Sequence, residues 1–123
     1  MARLLVVEDD PWSQHLVREV LEMGGHSVTG ADNVTQARAA LAAQAHDLVL
    51  LDIHIPGGGG QLLLREIRST HGLQGLPVIA LTASAMTGDR ERFLREGFTG
   101  YMSKPIEVRT FCTTIEGFLR GPA

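Results

Sequence analysis

Leu48-Val49-Leu50-Leu51-Asp52 is the stretch that decides the fold, because four consecutive apolar residues end at a carboxylate. An unbroken apolar run, rather than an alternating one, is typical of a strand that helices cover on both faces of a sheet. Two further runs have the same character: Leu4-Leu5-Val6-Val7 and Pro77-Val78-Ile79-Ala80-Leu81. We therefore expect a mostly parallel sheet in the centre of an α/β domain.

Helix-period segments separate these runs, so that strand and helix alternate five times along the chain. Two weaker strands are predicted at residues 27–30 and 99–102. The clearest helix lies near the C-terminal end, where apolar residues recur at intervals of three and four from Val108 to Leu119. Five such β-α units predict an open, doubly wound, five-stranded parallel sheet with helices on both faces.

Helix boundaries can also be predicted from single residues. Gly24-Gly25 is expected to end the first helix, Asn33 to cap the second and Gly97 to close the fourth. The segment from Met86 to Glu96 is mostly charged. It therefore predicts a fourth helix that is partly exposed and mobile.

Length and composition exclude several classes of protein. The 123 residues correspond to about one domain, and a net charge of −3 argues against a dedicated nucleic-acid binder. No apolar run approaches the ~20 residues that span a bilayer, and Met1-Ala2-Arg3 starts no signal-peptide pattern. Cys112 is the single cysteine, which excludes a disulfide framework and a thiolate metal cage. We expect one cytoplasmic domain over residues 1–123, with no second domain, no direct nucleic-acid contact and no membrane segment.

Chemically active side chains follow four of the predicted strands. Glu8-Asp9-Asp10 follows the first, Asp52 ends the third, Thr82 follows the fourth and Lys104 follows the fifth. Lys104 is the only lysine among 11 basic residues. Because ligands bind at the carboxyl ends of parallel strands, we expect these side chains to converge at one edge of the sheet.

This set of residues predicts phosphoryl transfer. Carboxylates brought close together raise one another's pKa, and a Mg²⁺ ion relieves that repulsion through one or two carboxylates, waters and a phosphate oxygen. An Asp carboxylate can attack phosphorus and form an acyl phosphate, while a cation and a hydroxyl donor hold the phosphoryl oxygens. Asp52 is the best placed nucleophile, because it ends the most apolar strand.

At this point the sequence resembles the receiver domain of two-component response regulators, either a single-domain chemotaxis type or the receiver of a hybrid histidine kinase. The resemblance covers essentially the whole chain, with 30 residues from Asp52 to Thr82 and 22 from Thr82 to Lys104. It implies the flavodoxin-like (βα)5 receiver fold. The motifs that carry it are Val7-Glu8-Asp9-Asp10-Pro11, Leu51-Asp52-Ile53-His54-Ile55-Pro56, Leu81-Thr82-Ala83 and Tyr101-Met102-Ser103-Lys104-Pro105.

The resemblance implies that Asp52 accepts a phosphoryl group with the help of Mg²⁺. The donor would be a phosphohistidine of a sensor histidine kinase or of a histidine phosphotransfer protein. Asp9 and Asp52 would bind Mg²⁺ directly, and Glu8 mostly through water. The backbone carbonyl of His54 would complete the protein ligands.

The resemblance also assigns the residues around the phosphoryl group. Lys104 would pair with it, and Thr82 would donate its hydroxyl to it. Tyr101 matches the aromatic switch residue, whose ring turns inward when the threonine moves. Ala83 and Pro105 complete the same two motifs, and Pro105 is expected to follow a cis peptide bond.

Such a domain would be a signalling switch rather than an enzyme, since it assists only its own phosphorylation and dephosphorylation. Its output is expected to be a protein contact through the surface of the fourth helix, fifth strand and fifth helix, in a monomer or weak dimer. One alternative is a small Mg²⁺-dependent phosphohydrolase with an aspartyl-phosphate intermediate, although His54 occupies the place of its usual second acid. Another is a flavodoxin-like nucleotide binder, although Glu8-Asp9-Asp10 would repel a phosphate.

Some features depart from the family pattern or carry no motif. Position 55 is Ile rather than Met, and Gly57 to Gly60 replace an acidic residue and its neighbours, which predicts a mobile loop beside Asp52. Cys112 lies on the apolar stripe of the last helix and is expected to pack there. The five histidines show no ligand spacing and are expected at the surface: His15, His26, His46, His54 and His71.

Overall fold

The computed structural model describes residues 2–57, 59–83 and 88–120, along which strands and helices alternate. The strands are β1 (Arg3–Val7), β2 (Ser27–Ala31), β3 (Leu48–Asp52), β4 (Val78–Thr82) and β5 (Gly100–Ser103). The helices are α1 (Pro11–Met23), α2 (Val34–Ala43), α3 (Gly59–Ser69), α4 (Asp89–Glu96) and α5 (Val108–Arg120). Within these ranges no helix has both the length and the hydrophobicity needed to cross a bilayer.

The five strands form one parallel sheet in the order β2-β1-β3-β4-β5. The order reverses between β1 and β3, and the crevice outside the strand ends at such a reversal is where this architecture binds ligands. The register aligns the strand ends, because Val7 pairs with Leu51, Asp52 with Leu81 and Thr82 with Ser103. The predicted fold class is confirmed.

The core consists of two apolar layers, one on each face of the sheet. Alternate residues of a strand point to opposite faces, so Leu5 and Val49 contribute to one layer and Leu4 and Leu50 to the other. The first layer is completed by α2, α3 and α4, and the second by α1 and α5. All five residues of β3 are buried, which explains why its sequence is a continuous apolar run.

The predicted helix boundaries are confirmed where the structure describes them. The Asn33 side chain accepts a hydrogen bond from the Gln36 N–H and caps α2. Gly24 ends α1, and Gly97 closes α4 with a φ of 112° that favours glycine. The predicted start of the fourth helix at Met86 lies outside the described residues.

The four-glycine run is only partly the loop that we expected. Gly57 lies in a turn with a φ of 99°, but Gly59 and Gly60 are the first residues of α3, and Gly58 lies outside the described residues. The Gly60 N–H donates to the Ile53 carbonyl at 2.9 Å. A Cβ atom at Gly60 would lie 2.7 Å from the Asp52 carbonyl oxygen and 3.0 Å from the Ile53 Cα. Gly60 therefore permits α3 to pack directly against the backbone at the end of β3.

This close approach predicts that Gly60→Ala lowers the free energy of unfolding by about 1–3 kcal/mol, as overpacking of a tight contact does. Gly75→Ala is the matched control, because a Cβ at Gly75 would have no atom within 4 Å. Urea unfolding curves should show a lower midpoint for Gly60→Ala and a nearly unchanged one for Gly75→Ala. Equal midpoints for the two variants would contradict the assigned role of Gly60.

Candidate functional site

The carboxyl edge of the sheet brings together the side chains that the sequence placed there. Glu8 directly follows β1, Asp52 ends β3, Thr82 ends β4 and Lys104 follows β5. The Lys104 ammonium donates to the carboxylates of both Glu8 and Asp52, with 2.7 Å to Asp52 Oδ2. Its backbone N–H donates to the Thr82 carbonyl at 2.8 Å. Strands β1, β3, β4 and β5 therefore meet in one polar cluster.

Both carboxylates in this cluster are buried and held by further donors. Glu8 is 1% exposed and Asp52 is 5% exposed. The His54 N–H donates to Asp52 Oδ1 at 2.9 Å, and the Asp10 N–H donates to Glu8 Oε2 at 3.2 Å. The backbone that follows each strand thus orients the carboxylate at the end of that strand.

The protonation of the cluster follows from burial and from its hydrogen bonds. Burial, with a hydrogen bond to Asp52, raises the pKa of Glu8 to about 7. Burial also tends to raise the pKa of Asp52, but hydrogen bonds from Glu8, Lys104 and the His54 N–H outweigh it and lower that pKa. For Lys104, burial tends to lower the pKa, but the two carboxylates raise it. Asp52 is therefore the ionised carboxylate and Lys104 its cationic partner.

Three of the carboxylates could also hold a cation. One oxygen atom from each of Glu8, Asp9 and Asp52 lies within 4.8 Å of the others, and Asp9 is exposed to solvent. Such an all-oxygen donor set suits Mg²⁺, which keeps several waters. Asp10, which the sequence placed beside these residues, does not belong to the group. Its carboxylate accepts from the Ser13 N–H and hydroxyl and caps α1 instead.

The other predicted residues lie beside the cluster. Thr82 is buried, at 2% exposed, and Tyr101 is half-buried with its ring centroid 5.8 Å from that of Phe93. The peptide bond between Lys104 and Pro105 is cis, as expected. Ala83 is exposed and lines a groove next to Lys104.

The expectation that all histidines lie at the surface is wrong for two of them. The His26 side chain is 7% exposed, its Nδ1 accepts from the Ala2 N–H at 3.1 Å, and its Nε2 lies 2.9 Å from the Glu116 carboxylate. Both ring nitrogens of His46 are buried. These contacts join residues far apart in the chain, so no local pattern could have indicated them. His54, by contrast, is exposed as predicted.

Cys112 packs against the core as expected, next to His26 and Glu116. The three side chains have metal-ligand chemistry and lie within 4.8 Å of one another. However, the His26 Nδ1 accepts a hydrogen bond, so the proton of the neutral ring lies on Nε2 and points to Glu116. Burial also raises the pKa of the Cys112 thiol. The group is therefore a hydrogen-bonded link between the start of β1 and α5.

Sequence reasoning missed a cavity of about 330 Å³ beside Thr82. It lies between the segment that follows β3 and the first turns of α4. Asp89 and Arg92 reach it from α4, whose charged sequence indicated only an exposed helix. The residues that line the cavity are Ile53, His54, Gln61, Thr82, Asp89, Arg92 and Phe93.

The raised pKa of Glu8 predicts how stability depends on pH in metal-free buffer. From 4.5, the ordinary value, to about 7, the folded protein binds more protons than the unfolded chain, so this group's contribution to stability falls as pH rises. Between about pH 5 and about pH 7.5 the free energy of unfolding should fall by roughly 2 kcal/mol from this source. The lowered pKa of Asp52 acts below this window. Its contribution to stability is lost as the pH falls from the ordinary pKa of Asp through the lowered one.

Glu8→Gln should flatten this slope, whereas the control Glu22→Gln, at an exposed position of α1, should keep it. The measurement is urea unfolding in EDTA at a series of pH values. An unchanged slope in Glu8→Gln would show that another group titrates.

Comparison with known proteins agrees with this geometry. The family model of the response regulator receiver domain matches residues 4–116. The polar-differentiation response regulator DivK of Brucella anthropi is 34% identical over 116 residues, which is 94% of each chain. The receiver domain of sensor histidine kinase PA1611 from Pseudomonas aeruginosa, solved with magnesium in its active-site cleft, is 32% identical with a TM-score of 0.87 and covers 98% of each chain.

The fold also matches the chemotaxis response regulator CheY4 of Vibrio cholerae, with a TM-score of 0.88 at 23% identity, over 95% of this chain and 98% of that one. The family model and the relatives above 30% identity each span nearly the whole chain. This chain therefore belongs to the family of response regulator receiver domains of two-component signalling systems.

Proposed function

We propose that this receiver is a phosphorylation-dependent switch whose Asp52 accepts a phosphoryl group from a phosphohistidine of a sensor kinase or phosphotransfer protein. One observation carries the proposal: the ionised Asp52 carboxylate lies 2.7 Å from the ammonium of the chain's only lysine, within the acidic cluster at the sheet edge. A nucleophilic carboxylate beside a compact cation is the arrangement that phosphoryl transfer to aspartate needs.

The transfer is a displacement at phosphorus. An Asp52 oxygen forms the new P–O bond while the P–N bond of the phosphohistidine breaks, and the imidazole nitrogen keeps the electron pair. Lys104 can shift from Asp52 to a phosphoryl oxygen, and the Thr82 hydroxyl can donate to another. Glu8, Asp9, Asp52 and the His54 carbonyl would hold Mg²⁺, which when bound neutralises charge on the phosphoryl oxygens.

The phosphodonor is proposed to be a protein, because an apolar groove of about 280 Å³ adjoins Lys104. Trp12 lies on its rim with 70% of its surface exposed, and Leu16 and Ile106 line its walls. An exposed tryptophan beside an apolar groove is typical of a surface that a protein partner covers. A small phosphodonor would have no use for this apolar area.

The output surface is proposed to be formed by α4, β5 and α5. Tyr101 of β5 packs against Phe93 of α4, so a movement of Thr82 at the neighbouring strand end can be passed on to this pair. Leu94 of α4 and Val108 of α5 are exposed by 41% and 51%. These apolar side chains supply contacts for a downstream partner or for a weak dimer.

The first test is phosphorylation with acetyl phosphate and Mg²⁺, followed by intact-mass measurement. We expect one added phosphoryl group that is labile to base, and none in Asp52→Asn or after EDTA. Asp10→Asn is the matched control, since the Asp10 carboxylate caps α1 outside the cluster, and it should still be phosphorylated. A wild-type chain without any adduct, or an adduct that persists in Asp52→Asn, would refute the assignment. Sustained release of phosphate from small phosphate esters would instead indicate the alternative function, a small Mg²⁺-dependent phosphohydrolase.

A second test concerns the shape of the cation. Lys104→Arg keeps the charge, but a planar guanidinium cannot replace a compact ammonium that contacts two buried carboxylates. We expect phosphorylation by acetyl phosphate to slow at least about tenfold, which corresponds to ~1.4 kcal/mol of transition-state stabilisation. Arg109→Lys, at an exposed position of α5, is the control and should leave the rate unchanged. A wild-type rate in Lys104→Arg would show that the transfer step does not need the Lys104 ammonium.

A further inference from the structure

The cavity beside Thr82 is lined by a cationic side chain that the proposed phosphoryl transfer does not use. Arg92 is the one Arg or Lys among the described residues that line this cavity. Ile53 and His54, which directly follow Asp52, line it as well, together with Thr82. A phosphoryl group on Asp52 that meets the Thr82 hydroxyl would thus lie at the wall of the same cavity.

Arg92 is held by a contact that can be exchanged. Its Nη2 lies 3.3 Å from Asp89 Oδ1, one turn earlier in α4. The Asp89 side chain is 11% exposed, but that of Arg92 is 51% exposed, so solvent screens the pair. A phosphoryl group carries more charge than a carboxylate, and a guanidinium binds its oxygens with two parallel hydrogen bonds.

We propose that Arg92 is a second cationic contact for the phosphoryl group on Asp52, paired with Asp89 until that group arrives. This inference rests on the proposed function, because it needs a phosphoryl group at Asp52. It extends the site from the strand ends to α4, which is part of the proposed output surface.

Movement of Arg92 from Asp89 to the phosphoryl group would also change the contacts of Phe93, which lies in the core beneath the proposed output surface. The Arg92 guanidinium lies 4.8 Å from the centroid of the Phe93 ring. Phe93 is 1% exposed and packs against Tyr101 and, edge-on at 5.6 Å, against Phe98. Transfer of Arg92 from Asp89 to the phosphoryl group would withdraw the cation from this ring. It would thereby connect phosphorylation to the pair of aromatic residues that includes Tyr101.

The experiment measures Mg²⁺-dependent binding of beryllofluoride, which bonds to a carboxylate as a phosphoryl mimic, by the ¹⁹F resonances of the bound fluorides. Arg92→Gln should weaken binding about tenfold. Arg90→Gln removes the same charge from an exposed position of the same helix and should change binding less than about twofold. Asp89→Asn should tighten binding about threefold by releasing Arg92, and this gain should vanish in Asp89→Asn/Arg92→Gln.

The outcomes separate this inference from the proposed function. Wild-type affinity in Arg92→Gln, or equal losses in Arg92→Gln and Arg90→Gln, would overturn the role of Arg92 and leave Asp52 as the acceptor. A wild-type protein that neither binds beryllofluoride nor takes a phosphoryl group would overturn both. Should Asp89→Asn fail to fold, the comparison of Arg92→Gln with Arg90→Gln decides alone. Opposite effects of Asp89→Asn and Arg92→Gln on binding are not expected from a merely structural pair.

Discussion

The contact of the Lys104 ammonium with Glu8 and Asp52 is the interaction on which the rest of the site depends. It joins the ends of β1, β3 and β5 and places an ionised carboxylate in a nearly buried position. Buried charges are tolerated only when they are paired and hydrogen-bonded, and here the lysine and the backbone N–H groups that follow the strands meet this requirement. The same contacts lower the pKa of Asp52 and keep it ionised.

The cluster nevertheless retains more negative than positive charge. This excess opposes folding, but it favours the binding of a cation. Burial first, and the contact with Asp52 second, raise the pKa of Glu8, so its ionised form is costly in this cluster. Where carboxylates repel one another, added positive charge is stabilising.

Helix α4 is held differently at its two ends. Near its C-terminal end, Arg68 of α3 donates to the carbonyls of Gly97 and Leu76, at 3.0 Å and 2.7 Å. At its N-terminal end, Asp89 and Arg92 adjoin the cavity beside Thr82. A helix that is fastened at its C-terminal end and bears charged side chains near its N-terminal end can respond to a new charge there without losing its packing. This arrangement suits the transmission of a local event to the neighbouring surface.

The sequence by itself determined the strands, their coverage on both faces and the residues at their carboxyl ends. It could do so because a continuous apolar run specifies a buried strand, and because parallel strands bring their ends to one edge whatever connects them. Only the tertiary structure decided that Gly60 is a close contact and that His26 links Ala2 to Glu116. It also decided that Arg92 shares a cavity with Thr82. These outcomes depend on how helices pack against the sheet, which long-range contacts set and no local pattern encodes.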